Sequence, residues 1–377
     1  MKKIAVLGTG LVGGPMVVDL AGHDGFEVLA IDRDEKALKR LEGLKNITIR
    51  KADLSREAEV ASVLKDVDMV INAVPGFMGF KVLKWIISAQ KDVVDIAFFP
   101  EDPFELDEFA RQNGVTAVVD CGVAPGMSNL LTGYAASKLD EAHTAVTYVG
   151  GLPQLRSWPY EYKAVFSPID VIEEYTRPAR YIENGVQVIR PALSDVELID
   201  FPVVGTLEVF NTDGLRTLAK TMNIPNMKEK TMRYPGHIEK MAVLRETGFF
   251  SEEPIKIGGS PIRPIDLTAK LLFPMWEMKE GEGDITVMRV WVEGFENGKT
   301  KRYTYDLLDR FDEDSKTHSM ARTTGYTATV AARLLRDGLY TKKGISPPEY
   351  LGKSETCVTY MLKGLAERGV HYVLTES

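Results

Sequence analysis

Ile4-Ala5-Val6-Leu7-Gly8-Thr9-Gly10-Leu11-Val12-Gly13-Gly14 stands near the start of the chain and decides how the rest is read. Four apolar residues in a row, without alternation, suit a short strand buried on both faces. Three glycines follow in the spacing G-x-G-x-x-G, and Met16, Val17, Leu20 and Ala21 then trace a helical pattern that stops near Gly22. A second strand is expected over 26–31 with Asp32 at its end, and an acid about 20 residues past the glycines completes the fingerprint of a dinucleotide site.

Each position of that fingerprint has a physical task. Gly8 permits the tight turn, Gly10 lets backbone approach a pyrophosphate, and Gly13 lets helix and strand pack closely. Leu11 and Val12 complete the loop, and the helix start behind them offers unpaired N–H groups to phosphate. Asp32 can accept hydrogen bonds from ribose hydroxyls, whereas a 2′-phosphate would meet its negative charge. NAD is therefore the expected cofactor over NADP, with Arg33 as the residue that would pair with a 2′-phosphate instead.

Working outward, strands are expected over 47–50, 67–72, 93–96 and 116–119, with helices over 55–64, 78–89 and 105–112 between them. Strand and helix alternating in this way make a doubly wound parallel α/β sheet of the Rossmann type. Loops at the carboxyl ends of such strands line the ligand crevice. Asn72-Ala73-Val74-Pro75 is then placed near the nicotinamide ribose. Asp53, after the third strand, reads either as a contact to the adenine amino group or as a helix cap.

Beyond Pro125-Gly126 the pattern changes. A helix fits 127–138, and β-rich stretches follow over 144–149, 186–190, 203–210 and 285–292. Asn297-Gly298 is a strong hairpin turn between 287–295 and 300–305, and Asn184-Gly185 suggests another. Helices are expected over 213–222 and 237–247, then over 323–335 and 353–368. The organisation expected is a dinucleotide-binding domain over 1–135, an inserted α+β substrate and oligomerisation domain of mixed or antiparallel sheet over 136–317, and C-terminal helices over 318–377 returning to the first domain.

Composition excludes several classes. With 377 residues, 44% hydrophobic and 27% charged, the chain has the make-up of a folded two-domain protein. A net charge of −8 argues against nucleic acid as a partner. Only Cys121 and Cys357 occur, far apart, which gives no metal-ligand spacing and fits a reducing compartment. No apolar run reaches the roughly 18 residues of a membrane helix. A cytoplasmic protein facing a small molecule is expected, with no metal.

The stretches GTGLVGG (8–14), Ile31-Asp32-Arg33-Asp34, NAVP (72–75), VVDIAFFPED (93–102), VVDCGVAPGMSNLL (118–131), YVGGLP (148–153), RYPGHIEKM (233–241) and MARTTGY (320–326) together resemble the saccharopine dehydrogenase-like family. The likeness runs over nearly the whole chain and is nearest to the lysine 6-dehydrogenase branch. It implies an NAD(P)-dependent oxidoreductase acting at the side-chain amine carbon of an amino acid, and a homo-oligomer, most simply a dimer. Saccharopine reductases of the family carry a DPG-x-x-H-like stretch after the sixth strand. Ala124-Pro125-Gly126-Met127-Ser128-Asn129 lacks both the acid and the histidine, which points to lysine oxidation, with release of ammonia and a semialdehyde that cyclises. Saccharopine dehydrogenase and a non-catalytic NAD-binding regulator are the alternatives.

Amine oxidation needs a proton acceptor and a clamp for the amino-acid carboxylate. Asp95 and Asp120, at the ends of the fifth and sixth strands, are candidates for binding the ammonium or acting as base. His237 opens a helix, where the neutral imidazole is favoured, and is a third candidate. Arg233 is the leading carboxylate clamp, Glu101 can reach the same crevice, and Gly151 would let backbone approach the substrate. Cys121 is read as a small buried residue.

Overall fold

Ala5, Val6, Val70 and Ile71 have no exposed surface, as strands apolar at every position require. In the computed structural model, which describes residues 1–22, 26–165, 168–279 and 281–377, they lie in a seven-stranded sheet. Its strands are β1 (Lys2–Leu7), β2 (Phe26–Asp32), β3 (Ile47–Lys51), β4 (Met69–Asn72), β5 (Asp92–Asp95), β6 (Thr116–Val118) and β17 (Gly344–Ser346). The order is β17-β6-β5-β4-β1-β2-β3, parallel throughout. Strand order reverses at β1 and β4, the switch point at which such sheets open a ligand crevice. The seventh strand has only three residues, too few for a periodic pattern, and the sequence reading missed it.

By internal contacts the chain divides into two units, Met1–Lys138 with Met320–His371, and Leu139–Ser319 with Tyr372–Ser377. In the first, a buried charge cluster holds the C-terminal helices against the helix Gly13–Gly22. Asp19 accepts from Arg333 Nη1 at 2.7 Å and from Arg368 Nε at 2.7 Å, and Arg333 Nη2 also donates to the Asp19 carbonyl at 2.9 Å. Thr329 adds its hydroxyl to the same carboxylate. Removing the Asp19 carboxylate would leave two buried guanidinium groups without the partner they share.

The second unit is built on a nine-stranded mixed sheet. Its strands are β7 (Glu141–Pro153), β8 (Ala179–Glu183), β9 (Val186–Arg190), β10 (Glu197–Phe201), β11 (Gly205–Asn211), β12 (Asn226–Arg233), β15 (Asp284–Glu296), β16 (Lys299–Arg310) and β18 (Tyr372–Glu376); β13 (Ile255–Ile257) and β14 (Ser260–Ile262) form a separate hairpin. Among the described residues of this sheet, only the β7–β12 pairing is parallel. Both expected hairpins are present. Asn184 and Gly185 join β8 to β9, Asn297 and Gly298 join β15 to β16, and all four residues have positive φ.

Elsewhere the sequence reading needs correction. The helix expected over 213–222 shrinks to Leu218–Thr221, and the helices Pro168–Thr176 and Pro264–Trp276 and strand β12 were not anticipated. The last strand, β18, pairs with β16 in the second sheet instead of returning to the first unit. No helix among the described residues is long and apolar enough to cross a membrane.

Candidate active site

The glycine elbow has the geometry its sequence predicts. Gly8 has a φ of +93°, and a Cβ there would sit 2.5 Å from the Ala73 carbonyl oxygen. A Cβ on Gly13 would lie 2.0 Å from the Gly8 carbonyl oxygen. Gly10 has open space where its Cβ would be. Two glycines thus admit close packing of protein on protein, and the one between them faces a vacant approach. That is the cradle a pyrophosphate needs, and the residues present fit a dinucleotide.

Asp32 is fixed before any ligand arrives. Its Oδ2 accepts from the Thr9 backbone N–H at 2.7 Å and from the Thr9 hydroxyl at 3.2 Å, and its Oδ1 accepts from the Asp34 N–H at 2.9 Å. Asp34 in turn caps the helix Glu35–Lys39 through the Lys36 N–H. Asp53 has a different fate. It accepts from the Ser55 N–H and hydroxyl and pairs with Arg56 at 3.2 Å. These Ser55 hydrogen bonds, with Arg56 and Arg33 assisting, hold its carboxyl below the usual range. The Ser55 contacts of Asp53 form a local turn ahead of the helix Glu57–Val63, whose N-cap is Arg56, and the partly exposed carboxylate remains a proposed adenine contact. Leu11 is exposed on the elbow, and Val12 is half-buried, its carbonyl oxygen close to Gly325.

The turn after β4 adjoins the elbow, with the Ala73 N–H donating to the Leu7 carbonyl at 2.9 Å. Asn72 is fully buried and donates through Nδ2 to Asp95 Oδ2 at 2.6 Å, while its Oδ1 has no hydrogen-bond partner among the described residues. Asp95 Oδ1 accepts from the Ala97 N–H at 2.7 Å, and the Asp95 carbonyl accepts from the Cys121 N–H at 2.9 Å. Val74 is buried, and Pro75 leads into the helix Gly76–Ser88. Asp120 follows β6 with a φ of 52°, a left-handed conformation that aspartate tolerates better than most residues. Burial drives the Cys121 thiol well above its ordinary pKa, and the charges of Asp120 and Asp95 push it further. Asp95, Asp120 and Cys121 therefore form one cluster at the carboxyl edge of the sheet. The thiol stays neutral there, in keeping with its reading as a small buried residue. Glu101 is exposed on the loop beyond β5, next to the Asp102 that caps the turn Pro103–Leu106.

Three candidates in the second unit meet a different environment. His237 is 1% exposed. Its Nδ1 lies 2.9 Å from the Tyr160 carbonyl, which can only accept, so Nδ1 carries the proton and Nε2 accepts from the Tyr175 hydroxyl at 2.9 Å. Burial, reinforced by the charge of Arg233, pushes the imidazole pKa down to about 3. Both nitrogens are occupied, and His237 is corrected from proton acceptor to a neutral interior histidine. Arg233, 2% exposed, donates to Glu174 at 2.6 Å and to the Met232 carbonyl at 3.0 Å, and lies 4.7 Å over the Tyr162 ring. It is an internal ion pair, not a clamp awaiting a carboxylate. Gly151 is buried inside β7 opposite Thr286, so it is strand backbone and not a loop free to meet substrate.

A parallel sheet, a glycine elbow at its switch point and a tethered acid define an NAD(P)-binding Rossmann domain. Residues 4–118 match the family model "Saccharopine dehydrogenase NADP binding domain", and residues 122–370 match "Saccharopine dehydrogenase C-terminal domain". The chain belongs to the saccharopine dehydrogenase family. It is 23% identical to mitochondrial alpha-aminoadipic semialdehyde synthase of Bos taurus, over 92% of this chain and 45% of that one. It is 27% identical to saccharopine dehydrogenase [NADP(+), L-glutamate-forming] of Saccharomyces cerevisiae, over 69% of this chain and 61% of that one. The chain thus spans about half the length of the first curated relatives it matches. Carboxyaminopropylagmatine dehydrogenase of Synechocystis is 23% identical over 92% of both chains. The solved structure of apo saccharopine dehydrogenase (L-Glu forming) from S. cerevisiae aligns over all of both chains with a TM-score of 0.82 at 19% identity, which establishes the shared fold.

One residue that matters to this geometry was missed in the sequence. Thr9 fills a variable slot of the glycine motif, and only its hydroxyl, two residues past the strand, hinted at a partner.

Proposed function

We propose that the chain is an NAD-dependent dehydrogenase that oxidises the side-chain amine of L-lysine. The observation that carries this reading is the pair Asp95 and Asp120 beside Cys121, at the carboxyl ends of β5 and β6. An ammonium has three donors and no acceptor. Carboxylates suit it, and the Oδ1 of Asn72, which has no hydrogen-bond partner among the described residues, adds an acceptor next to Asp95. Repulsion from these acids disfavours a substrate with several carboxylates of its own. When bound, the dinucleotide supplies a nicotinamide ring that accepts hydride. Asp120 is the residue assigned to hold the ammonium and receive its proton. Asn72 positions Asp95, and the tethered Asp32 favours the ribose of NAD.

The balance of the reaction is simple. The ε-carbon loses hydride, with its electron pair, as the carbon–nitrogen double bond forms. Water adds to that carbon and the carbon–nitrogen bond breaks, releasing ammonia and leaving the semialdehyde. The α-amine then condenses with the aldehyde and water leaves.

A second reading is oxidation at a secondary amine. The match along nine-tenths of both chains to carboxyaminopropylagmatine dehydrogenase favours it. The test follows the absorbance of reduced nicotinamide with NAD and L-lysine, and measures ammonia. Turnover with stoichiometric ammonia supports lysine oxidation. Silence with lysine and turnover of saccharopine or another N-carboxyalkyl amine moves the assignment to the second reading. Heat on adding NAD with no turnover of any amine leaves a nucleotide-binding regulator.

A further inference from the structure

The charge of Asp32 alone does not explain how a ribose site would tell NAD from NADP, because an unrestrained carboxylate can swing away from a phosphate. Here it cannot. Thr9, itself 4% exposed, binds Asp32 Oδ2 twice, through N–H and hydroxyl, and the Asp34 N–H binds Oδ1. A carboxylate oxygen offers about two lone pairs, so Oδ2 is saturated and Oδ1 keeps one acceptor direction. Asp34 is immobilised by its own capping bond, so the loop behind Asp32 gives no slack. The neighbouring cation Arg33 acts on Asp53, which Ser55 and Arg56 hold in place.

We infer that Thr9 is a specificity-determining residue: its hydroxyl locks the Asp32 carboxylate so that one acceptor faces a ribose hydroxyl and a fixed negative charge faces any 2′-phosphate. The inference rests on the dinucleotide reading and deepens it. It places NAD selectivity in a contact between the glycine elbow and the acid, not in the acid alone.

Calorimetric titration of the full chain with NAD⁺ and with NADP⁺ tests it. The wild-type chain should bind NAD⁺ more tightly. Thr9→Val keeps the shape and the N–H but removes the hydroxyl, and should shrink the NAD⁺-to-NADP⁺ affinity ratio by about tenfold, the equivalent of one charge-assisted hydrogen bond. Thr9→Ser restores the hydroxyl and should restore the ratio. A merely structural role for Thr9 would weaken both nucleotides equally, and an unmoved ratio in Thr9→Val overturns the inference alone. So does a wild-type preference for NADP⁺. If neither nucleotide gives heat with the wild-type chain, the dinucleotide reading and the inference fall together. Asp32→Ser serves as the control. It should raise NADP⁺ affinity, and a ratio that moves in Asp32→Ser but not in Thr9→Val assigns selectivity to the charge without the lock.

Discussion

The carboxyl edge of the parallel sheet and the aromatic interior of the second unit both hold residues chosen for the same chemistry, an acid or a base beside a binding group. They use them in opposite ways. At the sheet edge, Asp32, Asp95 and Asp120 each stand at or just past a strand end, the edge at which parallel sheets bind ligands, although Asp95 and Asp120 are themselves buried. In the second unit, Arg233 ends β12 and His237 opens the next helix, yet both turn inward to Glu174, Tyr175 and Tyr160. Register decides this. Arg233 pairs with Glu208 across β11, and a slip of one residue would have sent its side chain to the other face. Backbone topology sets where the acids of the first region stand, and side-chain packing across distant segments sets where Arg233 and His237 point.

The sharpest way to break this contrast is to replace Asp120 by Asn. If Asp120 receives the substrate proton, kcat should fall by roughly 10²–10⁴-fold, while calorimetry finds NAD affinity unchanged. Retention of full turnover would remove Asp120 from the chemistry. Arg233→Leu should act through folding instead. Stranding Glu174 without its partner should cost about 3–5 kcal/mol, seen as a lower urea midpoint, while kcat/KM per folded molecule stays close to wild type. A rise in KM at unchanged stability would restore Arg233 as a substrate clamp and collapse the distinction between the two regions.

His237 sharpens the same contrast through pH. Its folded pKa, about 3, lies below the ordinary 6.5. The neutral form is therefore the one the fold stabilises. The contribution is fully present above pH 6.5 and is lost as pH falls toward the folded value. Linkage predicts a loss of about 2 kcal/mol between pH 7.5 and pH 5. Comparing urea midpoints at the two pH values for wild type and His237→Gln checks this, since the variant should lose that part of the pH dependence. If the fall in kcat with pH, and not the fall in stability, tracks His237, the residue is catalytic after all.

What could be read in the sequence divides along the same line. The fold of the first region is written in short-range rules: an unbroken apolar run, a glycine spacing, an acid at a set distance. Gly8, Gly13 and Asp32 accordingly sit where they were expected. The two hairpins of the second unit obey an equally local rule, positive φ at Asn-Gly. Strand β12 escaped notice because Lys228, Glu229, Lys230 and Thr231 carry no alternation of apolar and polar. Glu229 and Lys230 are nonetheless buried, and Lys230 donates to the Asp195 carbonyl at 2.6 Å. The burial of Arg233 and His237 was equally invisible, because their partners Glu174, Tyr175 and Tyr160 are about 60 to 80 residues distant in the chain. Asp19 with Arg333 and Arg368 is the extreme case, joined across more than 300 residues.

The smallest expected effect comes from a turn in the second unit where only a local rule applies. Gly298 has a φ of +74° and open space around a would-be Cβ. Gly298→Ala therefore meets no neighbour and carries only the conformational penalty of a left-handed alanine, about 1 kcal/mol. For a chain of this size that is a fall of about 2–4 °C in Tm, with NAD affinity and turnover intact. Gly8→Ala differs in kind. Its φ is also positive, but the new methyl would be forced against the Ala73 carbonyl at 2.5 Å, so the elbow must move and nucleotide affinity should fall with stability. Calorimetry on the two variants separates a turn that only connects strands from one that cradles a ligand. Equal loss of NAD affinity in both would mean that the hairpin, too, bears on the nucleotide, and the contrast between the two regions would no longer hold.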